Sequence, residues 1–175
     1  MGFPYGISVA PLMHGILIKE ENPGKEVSMT KILLAYDGFE HSRHALEETA
    51  KLAADGHGRV TILSVVPPDA RASKAGGHVG MRPHAHEDVA RAHEYLHERS
   101  IESEMKMDDG DPAGQILAEA KAGGYDLVVV GSRGLGPVGR LLLGSVSTEV
   151  VEHAPCPVLV ASEDMTERLE PSGTP

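Results

Sequence analysis

From Lys31 onward, short apolar runs alternate with helix-length amphipathic segments, and no other feature of the chain constrains its fold as much. A run rich in Val, Ile and Leu suits a strand covered on both faces. Strands separated by helices run parallel, because each helix carries the chain back across the sheet. Five strands are expected: "KILLAY" (31–36), "RVTILSVV" (59–66), "IESEMKM" (101–107), "DLVVVG" (126–131) and "PVLVA" (157–161). The third alternates apolar with charged residues, as an edge strand does. Between the first two, Ala45, Leu46, Thr49, Ala50 and Ala53 form a helical stripe that stops at "DGHG". A second helix is expected over about 86–99. The third opens with Asp111 as N-cap and Pro112 at its first position and stops at Gly123 and Gly124, a matched start and stop pair. A fourth covers 145–153. The fold class is therefore α/β, a single open five-stranded parallel sheet with helices on both faces.

With 175 residues and 41% hydrophobic content, the chain is long enough to bury one substantial core but too short for two ordinary domains, so a single domain is expected. Residues 1–28 mix Gly and Pro with a short apolar patch and show no usable periodicity, so they are read as an N-terminal extension outside the core. The patch from Gly6 to Ile18 has no basic residues before it, contains Pro11 and His14, and lacks a small-residue cleavage site, which argues against a secretory leader. The domain is expected over 29–162, followed by a polar, flexible tail over 163–175. Residues 67–84 lack periodicity and read as a connection.

The loop that leaves "DLVVV" carries the chemistry. In open α/β sheets, ligands settle beyond the carboxyl ends of the strands, where connections diverge to opposite faces. The stretch "GSRGLGPVGRLLLGSVS" begins at that edge with Gly131 and ends where a helix opens at Ser145. Glycines let backbone approach a ligand without a Cβ in the way, and the helix start adds unpaired N–H groups and the positive end of its dipole. A phosphate chain fits such a place. Arg133 and Arg140 flank the loop as candidate counter-charges.

Three glycine patterns compete for the segment. Gly139-x4-Gly144-Ser145 has the spacing of a P-loop, but Ser145 stands where the catalytic Lys belongs. Gly134-x-Gly136-x2-Gly139 matches the dinucleotide fingerprint literally, yet it follows the penultimate strand rather than the first. The third, Gly131-x2-Gly134-x9-Gly144-Ser145, resembles the nucleotide-binding signature of the universal stress protein family. The resemblance runs from about Thr30 to Ala161 and includes "KILLAYDGFEHSRHALEETA", "DPAGQILAEAKAGGYDLVVVGSRG" and "SVSTEVVEHAPCPVLV".

That resemblance implies an adenine nucleotide alpha hydrolase-like sheet, membership of the ATP-binding subgroup, and a homodimer through the last strand. It puts the acidic nucleotide contact on Asp37 and the adenine-side backbone contact on Val65. Val130 precedes the glycine motif, and the phosphate contacts fall on Gly131, Gly134, Gly144, Ser145, Val146 and Ser147. Ala35 stands where many relatives have proline. Asp37 fits independently, because it follows the first strand at the same crevice, although capping the next helix is an alternative role. A carboxylate close to a triphosphate is repelled unless it accepts a ribose hydroxyl or shares a divalent ion. The ribose is favoured for Asp37, with Mg2+ bridging the phosphates.

The remaining features exclude other classes. A net charge of −10 disfavours a basic nucleic-acid groove, and 3% aromatics leave little for base stacking. No run approaches the roughly 18 apolar residues of a spanning helix, so no membrane partner is expected and the chain is read as cytoplasmic. Cys156, the one cysteine, lies in "PCPVLVA" and reads as a small buried hydrophobe. His84 with His86, and His93 with His97, have suggestive spacing but no third ligand, so no metal site is assigned. The expected function is nucleotide-dependent regulation in a stress response. No base or Walker Lys is placed for phosphoryl transfer, so the expected activity is at most slow ATP hydrolysis. The alternatives are a weak ATPase and a nucleotide-independent dimeric interaction domain.

Overall fold

The structure is a computed structural model that describes residues 10–12, 15–17, 31–56, 58–67, 84–132 and 143–162. In chain order the elements are β1 (Ala10–Leu12), β2 (Gly15–Leu17), β3 (Lys31–Ala35), α1 (Glu40–Gly56), β4 (Arg59–Val66), α2 (Ala85–His97), β5 (Ser103–Asp109), α3 (Pro112–Gly123), β6 (Leu127–Gly131), α4 (Ser145–His153) and β7 (Val158–Ala161). They build one sheet in the order β1-β2-β7-β6-β3-β4-β5. The five strands from β3 to β7 are mutually parallel, as the alternation of apolar runs and helices requires.

The sheet divides its side chains between two cores. Ile32, Leu34, Ile62 and Val129 face α1 and α2, where Ala45, Leu46, Ala50 and Ala53 of the expected stripe meet Val89, Ala92 and Leu96. Leu33, Leu63, Val128 and Val130 face the opposite side, against Ala113, Ile116 and Ala120 of α3 and Val150 and Val151 of α4. Consecutive residues of one strand thus serve different cores, which is why these strands read as unbroken apolar runs. Thr49 is the polar member of the α1 stripe and is fully buried; its hydroxyl donates to the Ala45 carbonyl at 2.7 Å. Cys156 is buried in the second core, as expected.

Helix limits follow the sequence signals closely. The Asp111 carboxylate accepts from the Gly114 N–H at 2.7 Å, Pro112 opens α3, and Gly124 closes it in the left-handed conformation with φ of 61°. The edge strand β5 lies two residues later than the expected 101–107. Ile101 is buried ahead of it as an anchor in the first core, and pairing begins at Ser103.

The five expected strands are extended by two more. Residues ahead of Met29 supply β1 and β2, an antiparallel pair, and β2 pairs antiparallel with β7 through Ile16↔Val160 and Leu17↔Leu159. The last strand is therefore not the free edge that a dimer through it requires. Three-residue strands containing Pro11 and Gly15 are too short to display an alternation, so the sequence concealed them.

On the second face, the Tyr125 hydroxyl donates to Glu119 at 2.7 Å, and Lys106 pairs with the same carboxylate. Burial of the Tyr125 ring, reinforced by the neighbouring Glu119 charge and opposed by Thr61, pushes its phenol up to about 12. The protonated phenol is thus favoured in the folded state. Its contribution is complete below the unfolded value of 10.0 and is lost as pH rises toward about 12. Between these limits, thermal melts should show the native chain losing stability more steeply than a Tyr125→Phe variant; parallel slopes would contradict this.

Candidate functional site

The site is built where the winding of the sheet reverses. β3 sends its connection through α1 toward β4 on one side, while β6, its other neighbour, sends the chain through α4 toward β7. Their carboxyl ends, Ala35 and Gly131, border a cleft of about 880 Å³, within the range of small-molecule sites. Ala35, Asp37, Val65, Val130, Gly131, Gly144, Ser145, Val146 and Ser147 all line it, drawn from four separate stretches of the sequence. Arg133 and Gly134, also expected at the site, lie outside the described residues, as does Arg140.

Each part of the lining has a local cause. The exposed Asp37 carboxylate accepts from the Phe39 N–H at 3.0 Å, which closes the turn into α1. That turn precedes α1 and is not a cap of it, since the first N–H groups of the helix to find a backbone acceptor, those of Ser42 and Arg43, bond to the Phe39 carbonyl, while Asp37 lines the cleft. Gly38 makes that turn with φ of 77°, and a Cβ there would come within 2.7 Å of the Asp88 carboxylate. Asp88 is itself buried and ion-paired with Arg91 at 2.8 Å. The neighbouring Tyr36 phenol is raised above its ordinary value by burial. The buried Asp88 carboxylate thus packs directly behind the Gly38 turn that follows Asp37.

Across the cleft, Gly144 precedes α4 with extended dihedrals, φ −71° and ψ 167°. The first helical bond of α4 runs from the Thr148 N–H to the Gly144 carbonyl, so the N–H groups of Ser145, Val146 and Ser147 have no acceptor within the helix. These three residues border the cleft, which gives it a set of donors at the positive end of a helix. Ser147 is buried, and its hydroxyl donates to the Gly144 carbonyl at 3.0 Å, bracing the turn. Ser145 is exposed.

Several lining residues escaped the sequence reading, among them His41, Ser42, Ser64, His86, Pro112, Ile116 and Ser132. His86 comes from the first turn of α2, which follows a long stretch without periodicity. Its position at the cleft depends on tertiary packing that no local pattern announces. His41 had a local signal, since it lies one residue into α1, four after Asp37. Among the described residues, no three His, Cys, Asp or Glu side chains converge as metal ligands. His93 meets the Ser103 hydroxyl at 2.8 Å, and His84 meets Glu87 at 3.1 Å. No helix among the described residues is long and apolar enough to cross a membrane.

The sequence model of the universal stress protein family matches residues 29–162. A universal stress protein of Thermus aquaticus is 37% identical over 139 residues, spanning 74% of this chain and 96% of its own. Among solved structures, a universal stress protein family protein from Arabidopsis thaliana with AMP bound superposes with a TM-score of 0.59 at 24% identity, covering 82% of this chain and 97% of its own. A universal stress protein from Archaeoglobus fulgidus in complex with dAMP gives a TM-score of 0.57 at 20% identity, over 77% of this chain and 98% of its own.

Proposed function

The chain belongs to the universal stress protein family, and on that premise we propose that it binds ATP in the cleft between β3 and β6 and acts as a nucleotide-dependent regulator of a stress response. The observation that carries this reading is the convergence of Asp37, Val65, Gly131 and the start of α4 on one cleft of suitable volume. The apolar wall of Val65, Val66, Ile116 and Val130 suits a planar base. Asp37 takes the ribose hydroxyls, and the N–H groups of Ser145, Val146 and Ser147 receive the phosphates. Similar proteins with AMP and dAMP bound support an adenine nucleotide as the ligand class. Asp37 is the one carboxylate lining the cleft among the described residues, so Mg2+ is held through the phosphates rather than by a protein cage. A homodimer through the last strand would need the β7 edge that β2 occupies.

The competing reading, a slow ATPase, gains from one observation: His41 and His86 line the cleft and belong to the residue type best suited to accept a proton from water. Phosphate release followed over many hours separates the two, with the regulator expected to leave ATP intact.

Mass spectrometry of small molecules released from freshly purified, denatured protein tests the ligand class, with adenine nucleotide expected at a substantial fraction of the protein concentration. Recovery of another ligand class would count against the reading. Ser145→Ala removes one hydroxyl while leaving the helix N-terminus, and should cost about 1 to 2 kcal/mol of ATP binding, near tenfold. Asp37→Ala should weaken ATP more than inorganic triphosphate, because its contact is to the sugar. Equal losses for both ligands in competition titrations would reassign Asp37.

A further inference from the structure

Asp88 lies outside the lining of the cleft, yet its carboxylate is only 4% exposed. It belongs to the first turn of α2 and pairs through Oδ1 with Arg91, which is largely in solvent. The rest of the side chain lies against the backbone of Gly38: a Cβ there would fall 2.7 Å from Oδ2, 2.8 Å from Cγ and 2.9 Å from Cβ of Asp88. Only a glycine lets helix and turn approach so closely. The contact bears on Asp37, which immediately precedes Gly38 and whose carboxylate spans it to accept from the Phe39 N–H. Asp37 and Phe39 line the cleft from this turn, and Ala85 and His86 line it from the same first turn of α2 that carries Asp88. Asp88 thus joins two segments of the cleft wall. Burial raises the Tyr36 phenol, Arg43 opposes the rise, and the charges of Asp88 and Asp37 add to it, which puts both carboxylates near one cleft-lining ring.

We propose that Asp88 is a positioning residue for nucleotide binding, one that touches Gly38 rather than the ligand and holds the turn in the place from which Asp37 reaches the ribose. The inference rests on the reading of Asp37 as the ribose contact. A carboxylate that accepts from sugar hydroxyls tolerates little displacement of its backbone, since an O–H···O bond spans only about 2.5 to 3.0 Å. The phosphate side is built differently. Its N–H groups, those of Ser145, Val146 and Ser147, belong to α4 and do not depend on the turn. Loosening the turn should therefore weaken the hold on the sugar and spare the hold on the phosphates.

Titrations of ATP and of inorganic triphosphate, each with Mg2+, into the full chain and its Asp88→Ala, Asp88→Asn and Asp37→Ala variants test this. Asp88→Ala opens space behind Gly38 and should lower ATP affinity about tenfold, the scale of coupling between residues in contact, with triphosphate affinity unchanged. Arg91 is mostly exposed, so the loss of its partner strands no buried charge and the variant should stay folded. Asp88→Asn refills the same space and should restore ATP binding to near the native level. In an Asp37→Ala background, Asp88→Ala should cost ATP nothing further, because the contact it positions is already gone. Equal losses for ATP and triphosphate, a loss that persists without Asp37, or an Asp88→Asn variant as weak as Asp88→Ala would overturn the proposal. If Asp37→Ala loses the preference for ATP over triphosphate while Asp88→Ala keeps it, Asp37 stands as the ribose contact and Asp88 is not its positioning residue. A native chain without that preference would remove the ribose reading, and this inference with it.

Discussion

Gly144→Val should abolish binding of ATP while leaving the fold intact. Gly144 has φ of −71° and ψ of 167°, an extended conformation open to any residue, so the backbone does not object to valine. The objection comes from the ligand. Gly144 borders the cleft immediately before the N–H groups of Ser145, Val146 and Ser147, and a branched side chain there fills space that a phosphate chain needs. The N–H groups remain, but a phosphate no longer reaches them. Affinity should fall by at least about a hundredfold, or some 3 kcal/mol, with a melting temperature close to that of the native protein. Binding within tenfold of native would show that the phosphates take another path.

The second large effect has the opposite signature, a loss of stability that precedes any loss of binding. At Gly131 an added Cβ would stand 2.5 Å from the His41 carbonyl oxygen, 2.7 Å from its carbon and 3.1 Å from the Ser42 nitrogen. These are backbone atoms in the first turn of α1 and cannot swing aside as a side chain would. Gly131→Ala therefore has to separate β6 from α1, at an expected cost of about 2 to 4 kcal/mol. The melting temperature should fall by roughly 10 °C for a domain of this size. Unchanged melting would mean that the helix start yields more readily than its packing indicates. Gly131 thus serves the fold as well as the cleft: the first glycine of the loop is needed because β6 and α1 touch there, whatever ligand is present.

That double role explains how far the sequence could be read. The parallel strands, the limits of α3 and the start of α4 were legible, because each is written in adjacent residues: an apolar run, the Asp111 and Pro112 start, the Gly124 stop. The cleft was legible in part, because its glycine loop and Asp37 lie at strand ends, and strand ends fix position in this kind of sheet. Gly38 was harder to interpret. The reason it must be glycine lies in Asp88, which is distant in sequence and becomes a neighbour only when α2 packs over the loop. His86 reaches the cleft by the same packing. The β1 and β2 pair was hidden for a different reason. Strands of three residues carry almost no periodicity, and their place is set by the hydrogen-bonding demand of β7 rather than by their own composition.

The central claim is that the cleft between β3 and β6 takes an adenine nucleotide by its phosphates, and titration calorimetry on the full chain tests it most directly. The protein is first stripped of bound nucleotide by reversible unfolding and dialysis, then titrated with ATP and Mg2+, and in parallel with AMP. The account predicts saturable binding of one ATP per chain, with AMP weaker because it lacks most of the phosphate contacts at the start of α4. Refolded protein that melts like the untreated sample, yet gives no saturable heat with ATP and Mg2+ at millimolar concentration, would contradict it.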